Sequence, residues 1–110
     1  MKSFGSIIRG ERQNRNLPLR KVAAALDIDP SILSKIERGV RVGNRDLVCK
    51  LSDYFELDKD ELLTQYFSDV IAQTVYQESN TSEILEAAEM KVEYLKNTKI
   101  IQTNIKFSNE

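Results

Sequence analysis

The sequence predicts an all-α fold, and three observations carry that prediction. Apolar residues recur at three- and four-residue steps along most of the chain. Helix-start and helix-stop residues punctuate those runs. Two short amphipathic helices, Leu19–Leu26 and Pro30–Arg38, meet at a tight turn, which is a helix-turn-helix arrangement.

The first helix is expected over Ser3–Asn14, with Ser3 as cap and Phe4, Ile7 and Ile8 at i, i+3, i+4 spacing. The segment Asn14–Pro18 reads as a turn, with Leu17 plugging the core between helices. In the second helix Val22, Ala23 and Leu26 share a face. Asp29 suits an N-cap, and Pro30 suits the first helical position, where a missing N–H has no helical partner. Leu33 and Ile36 form the buried face of the third helix, and Gly39 ends it. Asn44 caps a fourth helix reaching Phe55, striped by Leu47, Val48, Leu51, Tyr54 and Phe55. Asp58 and Glu61 give the start signal of a fifth helix.

That fifth helix continues over Asp60–Gln77, with Leu63, Phe67, Val70, Ile71 and Val75 as its stripe. Glu78, Ser79 and Asn80 break it. A sixth helix is expected over Ser82–Asn97, capped by Thr81 or Ser82 and striped by Ile84, Leu85, Ala88, Val92 and Leu95. Its Glu83 and Glu86 at the start, with Lys91, Lys96 and Lys99 toward the end, suit the helix dipole. The tail 98–110 carries a weak strand-like pattern in Ile101, Ile105 and Phe107.

Composition excludes several kinds of chemistry. There is no histidine and one cysteine, Cys49, so the usual zinc sites, an internal disulfide and His-based nucleophile activation are unavailable. Cys49 is expected to be an inert helix residue. Asp58, Asp60 and Glu61 fit helix capping, and no nucleophile–base constellation is visible, so no enzyme, metal or cofactor is expected. No apolar run is long enough to span a membrane, and the charged Met1 segment has no leader-like apolar core. A cytoplasmic protein is expected.

The net charge of −1 conceals an asymmetry. Up to Lys50 there are eleven Lys/Arg against five Asp/Glu, a net +6; from Leu51 onward there are five against twelve, a net −7. A basic half bearing a helix-turn-helix is the electrostatic footprint of a polyanion partner, double-stranded DNA. The third helix supports this, since Ser31, Ser34, Lys35 and Arg38 lie off its apolar stripe as short hydroxyls and cations. Such a helix can enter a major groove, with hydroxyls and ammonium at base edges and cations at phosphates.

Several stretches within roughly the first 66 residues carry a family resemblance: Ile8 with Arg12, LPLRKVAAALDID, PSILSKIERG, and LSDYFELDKDELL after Leu47. They resemble the Cro/C1-type helix-turn-helix domain of the xenobiotic-response-element family. The resemblance implies a five-helix repressor-like domain over 1–66, here with an extended fifth helix. Residues 67–110 form a helical extension whose apolar stripes must be buried, either on the N-terminal core and each other or, as we expect, in a homodimer interface. The resemblance also implies that Pro30, Ser31, Ser34 and Lys35 read bases, and that Arg38, Arg41, Arg45 and the start of the second helix contact the backbone. It also implies an Arg12–Glu37 ion pair joining the first helix to the third. Two positions depart from the family pattern. Leu19 stands where a phosphate-binding Gln is frequent, with Arg20 and Lys21 left to compensate, and Asp27 stands where the turn commonly has Gly.

The function expected is transcription regulation, as a repressor or an activator, by a homodimer on a palindromic operator. The small size resembles controllers of restriction–modification modules. The alternatives are an antitoxin, a phage-type repressor, or an adaptor that holds a protein partner through the acidic C-terminal helices.

Overall fold

Six helices in a row make up the computed structural model, which describes the backbone of residues 2–109 and the side chains of residues 2–98. They are α1 (Phe4–Asn14), α2 (Leu19–Ala25), α3 (Pro30–Glu37), α4 (Arg45–Phe55), α5 (Lys59–Val75) and α6 (Thr81–Asn109), with no strand among the described residues. The chain divides into two units, 1–73 and 74–110.

In the first unit the helix starts follow the side chains that cap them. Ser3 and Ser6 form a reciprocal capping box, the Ser3 hydroxyl accepting from Ser6 N–H at 3.2 Å. Asp29 accepts from Ser31 N–H at 2.8 Å, Asn44 from Leu47 N–H at 2.8 Å, and Asp58 from Glu61 N–H at 2.9 Å. Each bond satisfies a donor that the first helical turn leaves without an intrahelical partner.

The first four helices all stop the same way. A residue with positive φ follows each, at Asn16 (54°), Asp27 (58°), Gly39 (78°) and Glu56 (55°). In every case its N–H and the next one fold back onto carbonyls of the last turn. For α3 these are Gly39 N–H to Ile36 O at 3.1 Å and Val40 N–H to Lys35 O at 3.0 Å. The matching outer bonds are Leu17 to Arg12 (3.1 Å), Ile28 to Ala23 (3.0 Å) and Leu57 to Ser52 (2.8 Å). This is the Schellman closure, in which the residue after the left-handed position is commonly apolar and packs inward. Leu17, Ile28 and Leu57 do pack against the core, whereas Val40 is left exposed.

The core comprises Phe4 and Ile8 of α1, Val22 and Ala23 of α2 with Leu26 at its cap, Leu33 and Ile36 of α3, Leu47, Val48, Leu51 and Phe55 of α4, and Leu62 and Tyr66 of α5. Leu19, which stands where the resembled family often has a phosphate-binding Gln, packs against this core. Tyr66 packs edge-on against Phe4 and donates its hydroxyl to Gly43 O at 2.8 Å, tying α5 to the α3–α4 loop. Asp69 accepts from Phe4 N–H at 2.7 Å, so α5 also holds the start of α1. Of the expected fourth-helix stripe, Tyr54 lies outside the core and is exposed.

The second unit contains the end of α5, a turn at 76–80 and α6. Here the structure corrects two expectations. α5 stops at Val75, two residues early, and α6 runs to Asn109 instead of stopping at Asn97. The tail expected to be strand-like is helical in its backbone; its side chains from Lys99 on lie outside the described residues. No Gly, Pro or cluster of turn residues follows Asn97 to mark a stop there, so the helix is free to continue. Leu85, Val92 and Leu95 of the expected α6 stripe are exposed, at 45%, 48% and 61%.

Candidate nucleic-acid interface

α3 is held from beneath and from its C-terminal end. Leu33 and Ile36 are buried below it, and its last turn meets α1 at very short range. A Cβ added at Gly5 would stand 2.6 Å from both the Ile36 and Glu37 carbonyl oxygens, so only glycine lets the two backbones come this close. The Glu37 side chain is buried, and Arg12 meets it in a two-pronged pair, Nε to Oε2 at 2.8 Å and an Nη to Oε1 at 2.9 Å. A third Arg12 donor reaches Leu17 O at 3.0 Å, linking the exit of α1 to the same cluster. The bond to Glu37 raises the Arg12 pKa, against the opposing effect of burial, so the guanidinium stays charged. The ion pair implied by the resemblance is present, and its role is to brace α3.

With the buried side so fixed, the opposite side of α3 faces solvent. Pro30, Ser31 and Lys35 are exposed, Ser34 is half-buried, and Arg38 is exposed at the C-cap. Arg20 and Lys21 are exposed in the first turn of α2, and Arg41 and Arg45 flank the loop that leaves α3. Among the described residues, none of Arg20, Lys21, Lys35, Arg38, Arg41 and Arg45 is held in a salt bridge. Arg45 lies 3.7 Å from the Cys49 sulfur, one turn along α4. The carboxylates that do pair use other cations: Glu11 with Arg15, Asp46 with Lys50, Asp53 with Lys59. An array of unpaired cations beside an exposed helix start is chemically suited to phosphates.

Arg41 also stands at the rim of an open cleft between α3 and α4, floored by Leu26, Ile28, Ile32, Ile36 and Leu47. Its N–H and that of Val40 both bond Lys35 O, which fixes the loop on the last turn of α3. Arg15 shares a flank with Arg9 and Arg12 in the sequence, but its role is structural. It stacks 4.8 Å above Phe55 and donates to Phe55 O at 2.9 Å, closing the end of α4.

One feature of the exposed start was missed by sequence reasoning. The Asp29 carboxylate takes two bonds from Ser31, one from its N–H and one from its hydroxyl at 2.7 Å. The hydroxyl, then the N–H, holds the Asp29 pKa below the ordinary aspartate value. The Asp-Pro-Ser order was the available signal, since a capping Asp lies within reach of a hydroxyl two residues on.

Among the described residues no cluster of His, Cys, Asp and Glu has the arrangement of a metal site, and no helix is long and apolar enough to cross a membrane. No curated protein and no solved structure matches the chain. Comparison with known families does give a match, to the family described as helix-turn-helix domain, over residues 5–67. That span runs from the Gly5 contact to the end of the Tyr66 anchor and contains every candidate DNA-contacting residue. The match supports a DNA-binding domain of a transcription regulator, and by its extent the chain belongs to the helix-turn-helix domain family.

Proposed function

We propose that the protein is a Cro/C1-type regulator that binds a palindromic operator in double-stranded DNA as a homodimer. α3 enters the major groove. Pro30, Ser31, Ser34 and Lys35 meet base edges there, and Arg20, Lys21, Arg38, Arg41 and Arg45 meet phosphates. The observation that carries this reading is the unpaired cation array around an α3 whose other face is buried and braced. Binding of labelled duplex, followed by fluorescence anisotropy over a salt series, tests it. Five phosphate cations per subunit, ten per dimer, give a limiting slope of log Kobs on log salt of about −9. A slope near zero, or equal affinity for every duplex, removes the reading.

Dimerisation is assigned to residues 67–110. The exposed apolar residues Phe67 and Ile71 of α5 and Leu85, Val92 and Leu95 of α6 support it, because such side chains favour burial against a partner. Two subunits would also supply the half-site spacing that a palindrome requires. Sedimentation equilibrium at tens of micromolar, with and without DNA, decides the matter; a monomer under both conditions removes the dimer. Exposed Leu85, Val92 and Leu95, interspersed with Glu83, Glu86, Glu89 and Glu93, support the second reading, in which this region holds a protein partner. An antitoxin would combine both activities. For the biological role, control of a restriction–modification module is the reading we favour, and adjacent genes for a nuclease and a methyltransferase would be its test.

A further inference from the structure

Serine is normally an ambiguous reader of DNA, because its hydroxyl can donate to one base and accept from another. At Ser31 the structure removes that ambiguity. The hydroxyl has a single proton, and Oγ lies 2.7 Å from Asp29 Oδ1. An ionised carboxylate can only accept, so the proton belongs to this bond. The Ser31 N–H reaches the same oxygen at 2.8 Å, which fixes the geometry. Asp29 is held ionised more firmly than an ordinary aspartate by these two bonds. What the exposed Ser31 oxygen has left for a ligand is lone pairs alone.

In the major groove, adenine N6 and cytosine N4 donate, whereas guanine O6 and N7 and thymine O4 accept. We propose that Ser31, locked as an acceptor by Asp29, selects a base bearing an exocyclic amino group, adenine or cytosine, at one position of each half-site. This deepens, and rests on, the DNA-binding reading above. Guanine and thymine are disfavoured at that position for two reasons. Serving them requires turning the hydroxyl away from a charge-assisted bond, and their acceptor atoms would then lie near the Asp29 carboxylate.

The test uses the full chain and its Ser31→Ala and Asp29→Ala variants, each equilibrated at fixed salt with a duplex library randomised across an operator length. In the wild type, one position per half-site should favour A or C over G and T by roughly three- to tenfold. The enriched letter identifies which amino group is read. Ser31→Ala should lose the bias at that position alone, while keeping the Asp29 cap on its own N–H. Asp29→Ala frees the hydroxyl and should admit G and T there. Circular dichroism at 222 nm checks that each variant is folded, and if Asp29→Ala is not, Ser31→Ala decides by itself. A Ser31-dependent bias toward G or T overturns the assignment while leaving sequence-specific binding intact. So does a Ser31→Ala pattern identical to the wild type. A wild-type chain that enriches no sequence removes the DNA-binding reading and this inference together.

Discussion

Replacing Arg12 by alanine should destabilise the first unit by about 3 kcal/mol. The variant loses two charge-assisted bonds to Glu37 and one to Leu17 O, and it leaves the Glu37 carboxylate buried with no cation. Removing one partner of a buried ion pair costs about 3–5 kcal/mol, chiefly from the charge left behind. The lower end applies here because the Arg12 side chain is 14% exposed, so water can enter where the guanidinium was; Glu37 itself is only 4% exposed. Urea unfolding followed at 222 nm measures the loss as a lower midpoint at unchanged slope. The double variant Arg12→Met/Glu37→Leu is the informative control. It removes both charges and fills the space with apolar atoms, so it should lose no more than about 1 kcal/mol. A single variant that loses less than about 1 kcal/mol refutes the reasoning, as does a double variant as unstable as the two singles summed. If Arg12→Ala kept full stability but lost DNA affinity, Arg12 would be an interface residue and not a brace.

Other expectations follow from the same geometry. Gly5→Ala must push apart two carbonyls that lie 2.6 Å from the new Cβ, costing about 1–3 kcal/mol, while Gly10→Ala meets nothing within 4 Å and should stabilise α1 by about 0.5–1 kcal/mol. Thermal melts of the two variants should therefore shift in opposite directions. Glu56→Gly should raise stability by up to about 1 kcal/mol, since Glu56 sits at φ 55° where a Cβ is strained, and an unchanged or lower urea midpoint would refute it. The contribution of Asp29 should depend on pH in a definite direction. Its folded pKa lies below the ordinary 3.8, so the unfolded chain binds the proton more readily and stability rises with pH. The stability difference between wild type and Asp29→Ala should be fully present above that value and disappear as pH falls through the lower folded one. A difference that grows on acidification would have the wrong sign.

The helix pattern was readable because capping residues are local signals. Ser3, Asp29, Asn44 and Asp58 each reach a backbone N–H two or three residues on, so their positions mark the starts closely. Ends were readable only where the residue announces itself. Gly39 does so, but Glu56 in the left-handed region does not, because the side chain gives no hint that the fold will hold it there. The end of α6 was misplaced for the complementary reason, a change of apolar spacing without any helix breaker. For the interface, charge and exposure were legible along α3, but bond partners were not. That Arg15 closes α4 and that the Ser31 proton is already used are facts about distance, and sequence spacing alone does not supply them.

The bracing of α3 has a mechanical side. The Gly5 contact and the Arg12–Glu37 pair both grip its final turn, while the residues proposed to face DNA begin at the opposite end, seven residues away. At 1.5 Å per residue that is a lever of about 10 Å. A tilt of roughly 10° at the grip would carry Pro30 and Ser31 sideways by about 2 Å, far beyond the few tenths of an ångström that separate a good hydrogen bond from none. Substitutions in α1, which touches no base in this arrangement, should therefore degrade the choice of sequence before they abolish attachment to phosphates. In the proposed binding mode, the placement of Pro30 and Ser31 is thus set by the grip at the other end of α3.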